Sequence, residues 1–149
     1  LHCANRGEKV TVVFVNNAIY GMTGGQMAPT TMPGQVTTTS PLGRDVSLAG
    51  EPIRMAELIS TLHTPGFIAR GAVHQPLLTV RTKDLLRRAF RYQVEGRCFS
   101  MVEILSTCPT NWGLPPHEAC DWLEKHMVPY YPLGVFKTPE GGDRASRPL

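Results

Sequence analysis

The run Val10–Val15, VTVVFV, constrains this chain more than any other stretch. It is apolar and mostly β-branched, and it does not alternate, which is the pattern of a strand covered on both faces. It is far too short to cross a membrane. Two more short apolar runs follow, FIARGAV (Phe67–Val73) and CFSMVEIL (Cys98–Leu105). Between them lies TVRTKDLLRRAFRYQVEG, where Leu85, Leu86, Ala89, Phe90 and Val94 fall on one helical stripe that Gly96 stops. PIRMAELISTLH and PHEACDWLEKHM predict two further helices opening near prolines. STCPTNWGLPP reads as a loop, and YYPLGVFKTPEGGDRASRPL shows no periodicity. Strands alternating with helices predict an α/β fold, a mostly parallel sheet with helices on both faces.

Composition narrows the function classes. At 149 residues the chain suits one domain, and 42% hydrophobic with 18% charged residues is ordinary for a globular protein. A net charge of +3 with no basic run interleaved with aromatics argues against nucleic acid as a partner, and no apolar span or signal segment implies a membrane. Cys3, Cys98, Cys108 and Cys120 form no C-x-x-C pair, and no disulfide framework is expected of them. The five histidines have no metal-ligand spacing, and no carboxylate pair stands out for acid–base work. The opening LHCANRG reads as the last turn of a helix stopped by Gly7, and the predicted sheet is small. Both predict that further sequence precedes this start.

The first strand stops at Asn16–Asn17 and runs into AIYGMTGGQMAPTT. Ligands of open α/β sheets collect beyond the carboxyl ends of strands. There an asparagine amide oxygen is a hard neutral donor suited to Mg²⁺, and Gly21, Gly24 and Gly25 let backbone approach a ligand closely. The same residues are the commonest turn formers, so composition alone leaves a plain turn open. Residues Asn16–Glu51 are rich in Gly, Pro and Thr, a length of irregular chain that points to a cofactor or partner region. Cys108 sits in a Pro-rich loop with Pro109 directly after it, as in ferredoxin runs that end Cys-Pro.

The string VTVVFVNNAIYGMTGGQMAPTT, with MAELI, FIARGAV, FSMVEILSTCPTNWG and MVPYYPLGVFK, resembles the thiamine-diphosphate-binding β subunit of 2-oxoacid:ferredoxin oxidoreductases of the 2-oxoisovalerate and 2-oxoglutarate type. The resemblance runs as far as Lys137. It implies that residues 1–137 are the C-terminal part of a thiamine-diphosphate-binding domain, with 138–149 a polar tail. It also implies that Asn17 ligates Mg²⁺ through its side chain and Ile19 through its backbone carbonyl. Tyr20, Gly21, Met22 and Thr23 would line the diphosphate and thiazolium, and Cys108 would be the distant fourth thiolate of a [4Fe–4S] cluster. The family's Gly-Asp-Gly aspartate and its three other cluster cysteines have no counterpart here, so the chain alone is expected to bind thiamine diphosphate poorly.

The implied activity is oxidative decarboxylation of a 2-oxoacid to an acyl-CoA, with electrons passing to ferredoxin. The implied partners are a pyrimidine-binding α subunit, further subunits, ferredoxin and coenzyme A, in the cytoplasm. In such families the acid–base glutamate lies on the partner subunit, so no residue of this chain is expected to be an acid–base catalyst. Two other readings stand beside it, a non-catalytic assembly fragment and a non-oxidative thiamine-diphosphate-dependent decarboxylase or synthase.

Overall fold

A computed structural model describes residues 1–64 and 66–140, so part of the expected tail at 138–149 lies outside the described residues. The elements in chain order are α1 (His2–Arg6), β1 (Thr11–Asn16), α2 (Val46–Ala49), α3 (Met55–Ser60), β2 (Gly66–Ala72), α4 (Pro76–Val94) and β3 (Phe99–Leu105). They are followed by α5 (Pro109–Trp112), α6 (Pro116–Trp122), a π-helical turn (Leu123–Met127), α7 (Val128–Tyr130) and β4 (Gly134–Lys137). The chain divides into two compact units. The first comprises Leu1–Val15, Met55–Leu105 and the described part of Pro132–Leu149; the second comprises Asn16–Arg54 and Ser106–Tyr131.

The first unit is built on a sheet of order β1-β3-β2-β4. β2 and β3 run parallel, with Phe67 opposite Ser100 and Ala72 opposite Leu105. All seven residues of each are buried, because helices cover both faces. On one face α4 packs Leu85 and Ala89 against Phe67, Ala69, Val102 and Ile104. On the other, Ala4, Ala56 and Ile59 meet Ile68, Phe99 and Met101. The predicted α/β fold with a mostly parallel sheet is the one observed. α4 approaches β2 closely because Gly71 has no side chain: a Cβ there would lie 2.3 Å from Thr82 Oγ1. That hydroxyl instead donates to the Ala72 carbonyl at 2.9 Å.

Three expectations change. β1 is an edge strand rather than one covered on both faces, and Val12, Val13 and Val15 are 39%, 44% and 57% exposed. The stripe of α4 is narrower than its apolar residues suggest, since Phe90 and Val94 face solvent while Thr82 is buried with Leu85 and Ala89. The segment without periodicity contains β4, which pairs antiparallel with β2, Val135 opposite Ala69. Four residues after a proline are too few to show a period.

Inside this unit lies a charged group that no sequence pattern announces. Arg70 on β2 is fully buried; its Nε donates to Glu103 Oε2 at 2.9 Å, and its Nη1 to Glu57 Oε1 at 3.1 Å and the Pro132 carbonyl at 3.0 Å. Glu103, fully buried on β3, also accepts the Ala56 N–H at the start of α3. Each carboxylate therefore fixes a different element around one guanidinium, whose planar fork matches such bidentate geometry.

Candidate functional site

Where β1 ends, two asparagines turn the chain. Asn16, buried, accepts the Ala18 N–H on its Oδ1 at 3.1 Å, and Asn17 accepts the Ile19 N–H on its Oδ1 at 3.3 Å. These successive side-chain turns hold Ala18 at φ 56, the one left-handed non-glycine among the described residues. The conformation costs about 1–2 kcal/mol for a residue with a Cβ. It persists because Ala18 is wholly buried and its carbonyl accepts Thr31 Oγ1–H at 2.7 Å.

Beyond Ile19, Tyr20 and Gln26 close a small loop, with Tyr20 N–H donating to the Gln26 carbonyl at 3.0 Å and Gly25 N–H to the Tyr20 carbonyl at 2.9 Å. Gly24 and Gly25 take φ 113 and 77, which only glycine adopts without strain. Gln26 Nε2 donates to the Thr23 carbonyl at 2.6 Å, and the Met22 side chain stands entirely in solvent. Asn17, Ile19, Tyr20, Gly21, Met22 and Thr23 thus form one tight turn with its start locked, in which Ile19 is buried and Tyr20, Met22 and Thr23 are exposed.

Cys108 comes to the same place. It caps α5, its carbonyl accepting the Trp112 N–H at 2.9 Å. The Trp112 indole N–H donates to the Asn17 carbonyl at 3.1 Å, and Asn111 Nδ2 donates to Cys108 Sγ at 3.3 Å. A Cβ on Gly21 would lie 2.9 Å from that sulfur. The residues expected to hold a cofactor and the residue expected to hold a cluster are therefore in contact. Trp112 fixes an asparagine carbonyl of the turn and packs against Trp122, the rings tilted by 51° with centroids 4.6 Å apart. Asn111 carries no signal in the sequence. Cys98 is buried in the first unit's core, where burial pushes its thiol pKa up, and all four cysteines are free.

The rest of the long segment is packed, not loose. Arg44, 6% exposed, donates to the carbonyls of Ala28, Pro29 and Thr31 on one side and of Ala49 and Gly50 on the other. Tyr131 OH, also buried, donates to the Thr30 carbonyl at 2.9 Å. Arg44 floors a concavity of about 540 Å³ that Tyr20, Met27, Pro29, Glu51 and Ile53 border, a size that suits small molecules. At its rim the Tyr130 hydroxyl donates to Glu51 at 3.2 Å, and burial, with that carboxylate, holds the phenol above its ordinary range.

Among the described residues the Ile19 carbonyl receives no hydrogen bond, whereas those of Asn17 and Ala18 are taken by Trp112 and Thr31. Nor do three or more His, Cys, Asp or Glu side chains converge on a metal-sized site among these residues. No described helix is long and apolar enough to cross a membrane.

Known proteins match this architecture. The profile of the family described as thiamine pyrophosphate enzyme, C-terminal TPP binding domain, matches residues 1–104, a stretch that includes the asparagine turn and ends before Cys108. Ketoisovalerate oxidoreductase subunit VorA of Methanothermobacter thermautotrophicus is 44% identical over 137 residues, 92% of this chain and 29% of VorA. The 2-oxoglutarate synthase subunit KorB of Archaeoglobus fulgidus is 32% identical over 127 residues, 85% of this chain and 43% of KorB. The chain thus spans less than half the length of either relative. A solved 2-oxoglutarate:ferredoxin oxidoreductase from Magnetococcus marinus, with 2-oxoglutarate, coenzyme A and succinyl-CoA bound, shares the fold with TM-score 0.69 at 20% identity. That likeness covers 99% of this chain and 52% of the other.

Proposed function

Because this chain belongs to the family of thiamine pyrophosphate enzyme C-terminal TPP-binding domains, we propose that it is the diphosphate-binding part of a 2-oxoacid:ferredoxin oxidoreductase subunit. The observation that carries this reading is the contact between the Asn17–Thr23 turn and Cys108. A non-oxidative thiamine enzyme has no use for a thiolate against its diphosphate turn, whereas an oxidoreductase needs an electron acceptor close to its cofactor.

The residues fit the group. Asn17 Oδ1 has a lone pair beyond the one that accepts Ile19 N–H. With the unbonded Ile19 carbonyl it makes a pair of hard neutral oxygens of the kind that shares Mg²⁺ with phosphate. Gly21, Met22 and Thr23 would offer backbone to a diphosphate, and Tyr20 borders the concavity floored by Arg44. Thiamine diphosphate, when bound, supplies the nucleophilic carbon and electron sink for decarboxylating a 2-oxoacid. Asn17 and Ile19 would hold the metal, while Thr31 and Trp112 fix the turn whose backbone would meet the diphosphate. As in the family this chain resembles, the acid–base role would fall to a pyrimidine-binding partner subunit.

Cys108 supplies one thiolate of a [4Fe–4S] cluster, and the remaining ligands come from residues other than those described here. Ferredoxin takes the electrons and coenzyme A the acyl group. The greater identity to VorA than to KorB favours a branched-chain 2-oxoacid as substrate. Four free thiols fit the reducing cytoplasm.

Two measurements on the intact subunit test the reading. Calorimetric titration with Mg²⁺–thiamine diphosphate should show weaker binding by Asn17→Ala than by wild type. Anaerobically purified Cys108→Ser should lose cluster iron, while Cys98→Ser and Cys120→Ser keep it. Equal cofactor affinity, or full iron in Cys108→Ser, would refute the corresponding assignment.

A further inference from the structure

Leu86, Phe90 and Val94 fall on the apolar stripe of α4, yet the sheet takes Leu85 and Ala89 and leaves Phe90 and Val94 exposed, with Leu86 half-buried. Together with Lys83, Arg87 and Arg91 they line an open groove of about 590 Å³ along the outer side of the helix. Apolar side chains clustered in water are the mark of an interaction surface. Charge is as uneven as hydrophobicity here. α4 carries Arg81, Lys83, Arg87, Arg88 and Arg91 against a single acid, Asp84, which is more net charge than the +3 of the whole chain. Asp84 is engaged by Arg87 at 2.7 Å, and the carboxylate at the groove, Glu95, by Arg97 at 3.6 Å. Lys83 and Arg91 have no carboxylate partner among the described residues.

We propose that this groove seats a helix of a companion subunit, one whose apolar stripe is flanked by Asp and Glu. The inference rests on the reading of this chain as an oxidoreductase subunit. Helix-in-groove docking uses anchors at i, i+3, i+4 and i+7, and the stretch from Lys83 to Val94 rises about 17 Å, room for about three turns of a partner. Charge selects the occupant. A second copy of this chain would bring the same cations, and like charges set face to face oppose association. Phe90 and Val94 offer nothing to a phosphate backbone. An anionic bilayer would press its headgroups on Asp84 and Glu95 as well as on the cations. A carboxylate-bearing helix can lay its apolar side on Leu86, Phe90 and Val94 and turn its acids to the guanidinium forks, which take carboxylates bidentately.

The test uses the oxidoreductase assembled from its full-length subunits, as wild type, Arg87→Glu/Arg91→Glu and Phe90→Ser. All three side chains are exposed, so each variant should keep the denaturation midpoint of wild type. Subunit association, followed by analytical ultracentrifugation over a dilution series, should weaken about tenfold or more in the charge-reversed enzyme and by a smaller factor in Phe90→Ser. A water-soluble carbodiimide, which joins an amine directly to a carboxylate in contact with it, should link Lys83 to an Asp or Glu of a companion subunit, read by mass spectrometry. Unchanged dissociation constants in both variants overturn the inference. So does Lys83 linked only to carboxylates of its own subunit. Retention of wild type but not of the charge-reversed variant on phosphatidylglycerol vesicles overturns it too, since the partner would then be a lipid surface. A chain that assembles with no other subunit removes the underlying reading together with the inference, whereas companions that assemble without touching α4 sink the inference alone.

Discussion

The two units of this molecule are held by different physics. In the first, β2 and β3 are buried along their whole length between helices, and packing of apolar side chains does most of the work, with one ion cluster at Arg70. In the second, the elements are short, and side chains reach for backbone: the buried Arg44 for five carbonyls, Thr31 for Ala18 and Tyr131 for Thr30, and the half-buried Trp112 for Asn17. An irregular segment cannot satisfy its own carbonyls, so side chains must. The difference explains where the site can be. A strand's backbone is consumed by its neighbours, while a loop braced by side chains keeps some of its backbone available for a ligand.

The largest effect should come from the exception in the first unit. Arg70→Met leaves Glu103 buried without its cation, and chemical denaturation should show a loss of roughly 3–5 kcal/mol. Adding Glu103→Leu should restore most of it, because like-sized apolar residues replace buried ion groups at little cost. A single variant as stable as wild type would break the idea that this cluster is fixed by mutual charge. In the second unit, Arg44→Met should cost about 2–3 kcal/mol by the same measurement, since several buried carbonyls lose a charged donor at once. If it behaves as a surface change, the polar-scaffold half of the comparison fails.

Gly71→Ala should cost about 1–3 kcal/mol through crowding against Thr82. Asn17→Ala sharpens the contrast from the other side. It should lower stability by only about 1 kcal/mol, yet weaken cofactor binding about tenfold, which is 1.4 kcal/mol.

The smallest effect is in pH. Burial raises the Cys98 thiol pKa, so the folded state resists its ionisation while the unfolded chain does not. The stability linked to this thiol is complete below the unfolded pKa and declines as pH rises through the folded one. Cys98→Ala should therefore flatten the alkaline limb of a denaturation–pH profile, and in wild type Cys98 should be alkylated after the exposed Cys3.

The same division explains what the sequence discloses. FIARGAV and CFSMVEIL are legible because both faces of each strand are buried and the pattern is continuous. VTVVFV has that pattern too, yet its valines meet solvent, because an apolar run reports the preference of a strand and not its neighbours. Arg70 and Glu103 look like interruptions within strands, and only the pairing of those strands shows them to be partners. At the site, Asn16 to Thr23 can be read because the turn is local. Its meeting with Cys108 and Asn111 cannot, since 95 positions of chain separate hydrogen-bonded partners such as Asn17 and Trp112. The carbonyl-seeking role of Arg44 leaves no trace in a sequence, because every residue offers the same carbonyl.

The exposed valines of β1 have a consequence in the test tube. From Val10 to Asn17 there is no charge, proline or glycine, and the strand lies at the edge of its sheet with apolar side chains in water. Natural proteins guard such edges with lysine, proline or a bulge, because an unguarded one templates the same segment of another molecule. Short segments of high β propensity and low charge stack into dry, cross-β interfaces. A concentrated or warmed sample of this chain should therefore seed fibrils through VTVVFV sooner than a dilute one. Val13→Lys, placed at the exposed edge, should lengthen the lag before thioflavin fluorescence rises.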